Sequence, residues 1–182
     1  MGTIRVHEFI SLDGVIDAPT WTADFGFHPA MGHDIGNLIS SCRAIMLGRT
    51  TYEEFQPAWS SRTADDDFGA PFFNESTKYV VSSTLRDATW QNSTLIGPYT
   101  ADAIRQVKAD VDGGVYISGS ATLVRALIDD GLVDELHLFV YPVSRGTGPR
   151  LFPDTPPTTW SVTHNAAYDN GVHYLVCQPT AA

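Results

Sequence analysis

The segment Val115–Val143 contains a strand, a glycine turn, a helix and a second strand in direct succession, and this order constrains the fold most strongly. The apolar run Val115–Ile117 stops abruptly at Ser118–Ser120. The apolar residues that follow have the spacing of one broad helix face and reach as far as Gly131, a residue typical of a helix end. Leu136–Val143 is predicted to be a second, longer buried strand.

Strands alternate with helices along most of the chain, and a hairpin closes it. Asn170-Gly171, between the predicted strands Trp160–Ala167 and Val172–Gln178, is a strong hairpin signal. The pattern predicts a single α/β domain over residues 1–182. Its mostly parallel central sheet has an antiparallel C-terminal hairpin and helices on both faces. The other predicted strands are Thr3–Leu12, Ala44–Leu47, Lys78–Ser82 and Thr94–Ile96, and the other predicted helices are Ala30–Cys42, a segment from Tyr52 that ends before Pro57, and Ala101–Val111.

Polar turns follow three of the predicted strands, at Gly48–Thr51, Ser82–Thr84 and Ser118–Thr122. Ligands of such sheets bind outside the carboxyl ends of the strands, which share one edge. Glycine lets a ligand approach the backbone, and the first amides of a helix suit a phosphate. Arg49 adds a permanent charge whose fork fits phosphate oxygens. The three turns together predict an extended ligand with more than one phosphate, such as a dinucleotide.

Each turn also has an ordinary structural explanation. Ser120 can simply cap the helix while Gly119 makes the turn. The hydroxyls of Ser82–Thr84 can form a turn with their own backbone. Arg49 can be a surface residue beside a threonine cap.

Composition and spacing exclude several other classes of function. The net charge of −10 argues against a nucleic-acid surface, and no apolar run approaches the length of a membrane span. The six histidines form no HExxH or similar pair, so no metal site is predicted. A nucleophile elbow, a P-loop and G-x-G-x-x-G are all missing. Cys42 and Cys177 lack CxxC spacing, which fits a reduced, cytoplasmic chain.

Further segments show a resemblance to a known family: Ser11–Gly14, Leu47–Glu53, and Val133–Leu136 through Pro142-Val143 into the loop Gly146–Phe152. With the three turns, they resemble the dihydrofolate-reductase-like superfamily, and within it the reductase domain of the riboflavin-biosynthesis deaminase-reductase. The resemblance spans nearly the whole chain and implies the three-layer fold of that superfamily. Since no deaminase domain with its zinc motif precedes these segments, a stand-alone member is expected.

The resemblance implies that NADPH binds along the strand ends. Gly14 would lie near the nicotinamide, with Trp21 in the covering loop. The family often has a second glycine where this chain has Ser118 or Ser120. The other implied cofactor-binding residues are Gly48, Arg49, Thr50 and Thr51 at the phosphates, Ser82 and Ser83 near the adenosine 2′-phosphate, and Gly119, Ser120, Ala121 and Thr122 at the pyrophosphate.

The expected function is hydride transfer from NADPH to a small heterocyclic substrate, of pterin, folate or ribosylamino-pyrimidine type, or to a carbonyl. A homodimer is also expected by resemblance, with no nucleic-acid or membrane partner. Folate reductases use a carboxylate on the helix before the second strand, and Asp34 is the nearest equivalent here, as proton donor and substrate contact. An Asp near a helix start also has an ordinary dipole explanation. The substrate pocket is expected among Asp17–His28, the helix near Asp34 and Gly146–Phe152.

Two alternatives remain open at this point. The first is a true dihydrofolate reductase, which requires a carboxylate facing the pterin ring. The second is a non-catalytic nucleotide-binding or interaction protein on the same fold, which would bind the cofactor without consuming it or would not bind it.

Overall fold

The computed structural model describes residues 1–16, 19–153 and 158–180. Asp17 and Ala18 of the expected substrate loop lie outside this range. The strands are β1 (Thr3–Ser11), β2 (Cys42–Gly48), β3 (Thr77–Val81), β4 (Ser93–Leu95), β5 (Gly114–Ser118), β6 (Glu135–Tyr141), β7 (Trp160–Ala167) and β8 (His173–Pro179). The helices are α1 (Pro29–Ser40), α2 (Arg49–Trp59), α3 (Ala70–Glu75), α4 (Ala101–Asp110) and α5 (Ala121–Asp129), and a 3₁₀ helix spans Thr20–Phe25.

The strands form one sheet in the order β4-β3-β2-β5-β1-β6-β8-β7. All neighbouring pairs from β4 to β6 are parallel, whereas β8 runs antiparallel to both β6 and β7. The predicted parallel sheet with an antiparallel C-terminal hairpin is therefore confirmed. Because β1 pairs with β5 on one side and β6 on the other, the first strand of the chain lies inside the sheet.

Helices cover both faces of the sheet, as predicted. On one face Val6 and Ile10 of β1 share a buried cluster with residues of α4 and α5, among them Ile104 and Val124. On the other face Ile45 of β2 packs in a cluster with residues of α1, α2 and α3. A strand turns successive side chains to opposite faces, so alternate residues of each inner strand face different helices. Apolar residues on both faces give the three-layer arrangement.

The predicted end of α2 before Pro57 is wrong, because the helix continues to Trp59. Proline inside a helix removes one hydrogen bond and costs about 3 kcal/mol. Aromatic packing holds the last turn in place here. The Trp59 ring stacks on the Phe73 ring with 4.2 Å between centroids, and the Phe55 ring packs edge-on against Phe73 with 5.7 Å between centroids.

The start of β5 makes a close contact that a substitution can test. A Cβ on Gly114 would lie 2.7 Å from Cys42 Sγ and 3.0 Å from the Ser41 carbonyl oxygen, whereas a Cβ on Gly36 in α1 would meet only Phe68, at 3.7 Å. We expect Gly114→Ala to lower the free energy of unfolding by about 1–3 kcal/mol through overpacking. Gly36→Ala, the matched control, should raise it by about 0.5–1 kcal/mol, because alanine favours the helix.

Urea denaturation of the two variants measures both changes. A Gly114→Ala protein as stable as the wild type would show that β5 and β2 do not approach as closely as described.

Candidate functional site

The carboxyl ends of β2, β3 and β5 open into one cleft of about 730 Å³. This volume is within the range of small-molecule and cofactor sites. The cleft brings all three predicted polar turns together, although they are far apart in sequence. Its lining includes Gly48, Arg49, Thr50, Thr51, Ser82, Ser83, Gly119, Ser120, Ala121 and Thr122.

Arg49 begins α2 directly after β2, and its side chain extends from the first turn to the second. Its Nε donates to Glu53 Oε1 at 2.9 Å, and its Nη1 donates to Thr84 Oγ1 at 2.9 Å. The side chain is about half exposed, at 49%. These contacts hold the guanidinium over the cleft while leaving part of it open to a ligand.

Ser120 joins the first turn to the third. Its Oγ accepts the backbone N–H of Gly48 at 2.9 Å and donates to Thr51 Oγ1 at 2.9 Å. Ser120 occupies the N-cap position of α5 with a left-handed backbone (φ 61°), yet its side chain makes no cap hydrogen bond. The alternative that its hydroxyl merely caps the helix is therefore wrong. The expected turn at Gly119 is confirmed, with φ 61°.

Ser82 has the contacts expected from the structural alternative. Its Oγ accepts the backbone N–H groups of Thr84 at 3.1 Å and of Leu85 at 2.9 Å. The hydroxyl thus forms a turn with its own backbone, and that interpretation is confirmed for this residue. Ser83 is exposed at the mouth of the same turn.

The Ser11–Gly14 motif fixes the glycine-rich loop that follows β6. The Asp13 carboxylate accepts the Ser11 hydroxyl at 2.6 Å and the backbone N–H groups of Arg145 at 2.9 Å and Gly146 at 2.7 Å. These hydrogen bonds hold the pKa of Asp13 well below its usual range. Gly14 has φ 83°, and it accepts the Leu151 N–H at 2.9 Å but is not part of the cleft lining.

Trp21 and Asp34 lie outside the cleft lining. Trp21 is buried and packs edge-on against Tyr141, with 5.3 Å between ring centroids. Asp34 Oδ2 accepts the Tyr168 hydroxyl at 2.6 Å. Burial, and then the hydrogen bond to Asp34, raise the pKa of the Tyr168 phenol. The catalytic and substrate roles of Asp34 and the substrate role of Trp21 stay predictions.

Glu8 is a buried carboxylate of the cleft that the sequence analysis did not select as a site residue. It lies on β1, is 3% exposed and contributes to the lining of the cleft. Burial raises the pKa of its carboxyl to about 8, although a hydrogen bond from the Gly119 backbone opposes the shift. The signal was visible in the sequence: Glu8 is the one carboxylate among the apolar even-numbered residues from Ile4 to Leu12.

Across residues 1–16, 19–153 and 158–180, no group of three or more His, Cys, Asp or Glu side chains is placed to hold a metal ion. In the same ranges, no helix has the length and apolar character needed to cross a bilayer.

A family model described as the RibD C-terminal domain matches residues 2–174. The chain belongs to this family. Among its relatives is the uncharacterized protein YyaP of Bacillus subtilis (strain 168), which is 26% identical over 172 residues, covering 92% of this chain and 89% of YyaP. The uncharacterized protein YwjB of the same organism is 24% identical over 147 residues, covering 79% of this chain and 78% of YwjB.

Solved structures of two similar proteins share the fold of this RibD C-terminal domain protein. A putative riboflavin biosynthesis protein from Shewanella sp. PV-4 superimposes with a TM-score of 0.80 at 18% identity, covering 98% of this chain and 99% of that one. A pyrimidine reductase-like protein from Corynebacterium diphtheriae gives a TM-score of 0.65 at 14% identity, covering 100% and 93%. These likenesses confirm the predicted dihydrofolate-reductase-like architecture.

The bridge at Ser120 yields a stability prediction. Ser120→Ala leaves the Gly48 N–H without its acceptor, so we expect the free energy of unfolding to fall by about 1–2 kcal/mol, while the strain of the left-handed backbone stays as in the wild type. Ser120→Gly loses the same hydroxyl but relieves the backbone strain, which recovers about 1 kcal/mol. Urea unfolding should therefore rank wild type and Ser120→Gly above Ser120→Ala. An alanine variant at least as stable as the glycine variant would contradict this account of the bridge.

Proposed function

We propose that this protein is an NADPH-dependent reductase of a small heterocyclic or carbonyl substrate. One observation supports the proposal above all: three phosphate-suited strand ends, from β2, β3 and β5, line a single cleft. Membership of the RibD C-terminal domain family supports a reductase-type function. The descriptions of the two structural neighbours, as a putative riboflavin biosynthesis protein and a pyrimidine reductase-like protein, favour a pyrimidine-like heterocycle as substrate class.

The residues of the cleft fit a diphosphate ligand. α2 and α5 both begin at its wall, and the first N–H groups of a helix have no partner within the helix. The positive end of each helix dipole favours an anion at the same place. The missing Cβ atoms of Gly48 and Gly119 make room for neighbouring hydroxyls, since a Cβ would lie 3.4 Å from Ser120 Oγ at Gly48 and 3.4 Å from Thr51 Oγ1 at Gly119. Gly119, Ser120, Ala121 and Thr122 would hold the pyrophosphate, and NADPH would supply the hydride.

Arg49 and the turn after β3 would hold a further phosphate. The guanidinium is a permanent cation with a planar fork that suits phosphate oxygens. The hydroxyl of Ser83 lies in the same wall of the cleft. This arrangement favours a cofactor with a phosphate on the adenosine ribose, which distinguishes NADPH from NADH.

The substrate would bind where Phe9, Ile16 and Pro149 line the cleft. These apolar residues would exclude water from the reacting carbons, and hydride transfer chiefly requires close, oriented placement of those carbons. Gly14 lies two residues before Ile16, and its proposed place is near the nicotinamide. A homodimer in the cytoplasm is part of the proposal.

Removing the Arg49 charge tests the cofactor assignment. We expect Arg49→Ala to weaken NADPH binding by about 10- to 100-fold, since a charge-assisted hydrogen bond contributes about 1.5–3 kcal/mol. NADH, which lacks the 2′-phosphate, should change by less than about 3-fold. Fluorescence titration of both cofactors measures the difference.

Arg105→Ala is the matched control. Arg105 lies on α4, pairs with Asp102 at 2.8 Å and is outside the cleft lining, so its loss should change neither affinity. An equal loss of NADPH and NADH affinity in Arg49→Ala would remove the 2′-phosphate assignment. Failure of the wild type to bind either cofactor would sink the reductase proposal itself.

A substrate screen separates the proposed reductase from its two alternatives. Oxidised pterins, folates and ribosylamino-pyrimidines are each incubated with protein and NADPH, and cofactor oxidation is followed at 340 nm, the absorbance band of the reduced nicotinamide. Turnover of dihydrofolate that Asp34→Asn abolishes would support a true dihydrofolate reductase. Cofactor binding without turnover of any compound would support the non-catalytic alternative.

A further inference from the structure

Glu8 lies in a buried position where a carboxylate is unfavourable unless a partner compensates the cost of burial. It belongs to β1, which is paired on both sides, and its register partner on β6 is Leu138. Its side chain is 3% exposed, between Val6 and Ile10 on the face covered by α4 and α5. Burying an ionised carboxylate without a charged partner costs several kcal/mol. An apolar residue at this position would avoid that cost.

The carboxyl group is only half satisfied by the protein. A hydrogen bond from the Gly119 backbone reaches it, whereas Oε1 has no partner in the part of the chain that the structure describes. Burial raises the pKa to about 8, so the group carries a proton at neutral pH. A protonated carboxyl has one acceptor oxygen and one O–H donor. The oxygen bonded to Gly119 is the acceptor, which leaves the donor at Oε1.

The charged and titratable groups around Glu8 do not compensate a negative charge there. On β5, the phenol pKa of Tyr116 is raised, first by burial and also by the charge of Glu8. On β1 itself, burial and then His137 on β6 lower the pKa of His7 to about 3, so the imidazole is neutral. The nearest cation of α5 along the chain, Arg125, donates to the carbonyl oxygen of Arg150 instead.

The charged side chains of α2 form no ion pair with Glu8 either. Arg49 pairs with Glu53 at 2.9 Å, and Glu54 adds a second acid to the lining of the cleft. No ion pair involving Glu8 is present among the described residues. The O–H of Glu8 therefore has no acceptor among the described residues, and the cleft that Glu8 lines is where a ligand would supply one.

We propose that Glu8 is a ligand-binding residue of the cleft, donating its carboxyl O–H to an oxygen of the phosphate-bearing ligand beside Gly119. This inference rests on the proposed function, since it takes the ligand to be a dinucleotide. The terminal torsion of a glutamate side chain is soft, so the carboxyl group can adjust its orientation when a ligand binds. The Glu8 carboxyl group accepts a hydrogen bond from the Gly119 backbone, and its O–H supplies a donor beside the same turn.

The proposal makes ligand binding depend on pH. Below pH 8 the O–H of Glu8 donates to the ligand, whereas above pH 8 the ionised carboxylate offers no donor and repels a phosphate. The affinity for NADPH should then fall by about 10-fold for each pH unit above 8, because one proton is coupled to binding. The 2′-phosphate does not explain such a change, since a phosphate monoester with a second pKa near 6 is already fully ionised in this range.

Fluorescence titration of wild type, Glu8→Gln and Glu54→Gln with NADPH between pH 7 and 9.5 tests the inference. Glutamine keeps an acceptor oxygen and a permanent N–H donor in the same shape. Glu8→Gln should therefore bind within about 3-fold of wild type at pH 7 and show no loss up to pH 9.5. Glu54→Gln, which removes an acid from the same cleft, should keep the pH dependence of the wild type.

Urea unfolding without ligand checks the protonation of Glu8 separately. Its folded pKa is raised above the unfolded value of 4.5, so its share of stability is full below pH 4.5 and is lost as the pH rises through about 8. Glu8→Gln should lack this loss. A wild-type affinity that is flat with pH, or a Glu8→Gln profile that follows the wild type, would overturn the role of Glu8 alone. Absence of NADPH binding at every pH would overturn the proposed function as well.

Discussion

The parallel pairing of β2 with β5 and of β5 with β1 is the constraint on which the site depends. Parallel strands end at the same edge, so turns that are up to about 70 residues apart in the chain meet in space. Antiparallel pairing of any of these strands would send one polar turn to the opposite edge. The hydroxyl of Ser120 then fixes the distance between the turns after β2 and β5 at the level of single hydrogen bonds.

Asp13 stabilises the same edge of the sheet at the ends of β1 and β6. Its carboxylate takes three hydrogen bonds, two of them from backbone N–H groups of the loop after β6. The Ser11–Gly14 motif, which the family resemblance places near the nicotinamide, thus also links the first strand to the glycine-rich loop. Gly14 turns the chain here, and Ile16, two residues later, lines the cleft.

The sequence predicted those parts of the structure that depend on preferences of residues close together in the chain. Apolar runs broken by glycine predicted the inner strands and the turns, and Asn170-Gly171 predicted the hairpin, because backbone and turn preferences act over a few residues. It was less informative where two local tendencies compete. Pro57 suggested a helix end, yet the stacking of Trp59 on Phe73 keeps the last turn helical. Ser120 has the pattern of a cap, yet its hydroxyl bonds residues of another turn.

By itself, the sequence determined the fold class and the sheet edge that the three polar turns share. These follow from periodicity and from the geometry of strand-to-helix turns. Only the tertiary structure decided what Ser120 contacts. It also decided that Asp34 is hydrogen-bonded to Tyr168 outside the cleft lining, and that Glu8 is part of that lining. Each of these depends on side chains that meet across strands, where long-range packing and burial set the partners and the protonation state.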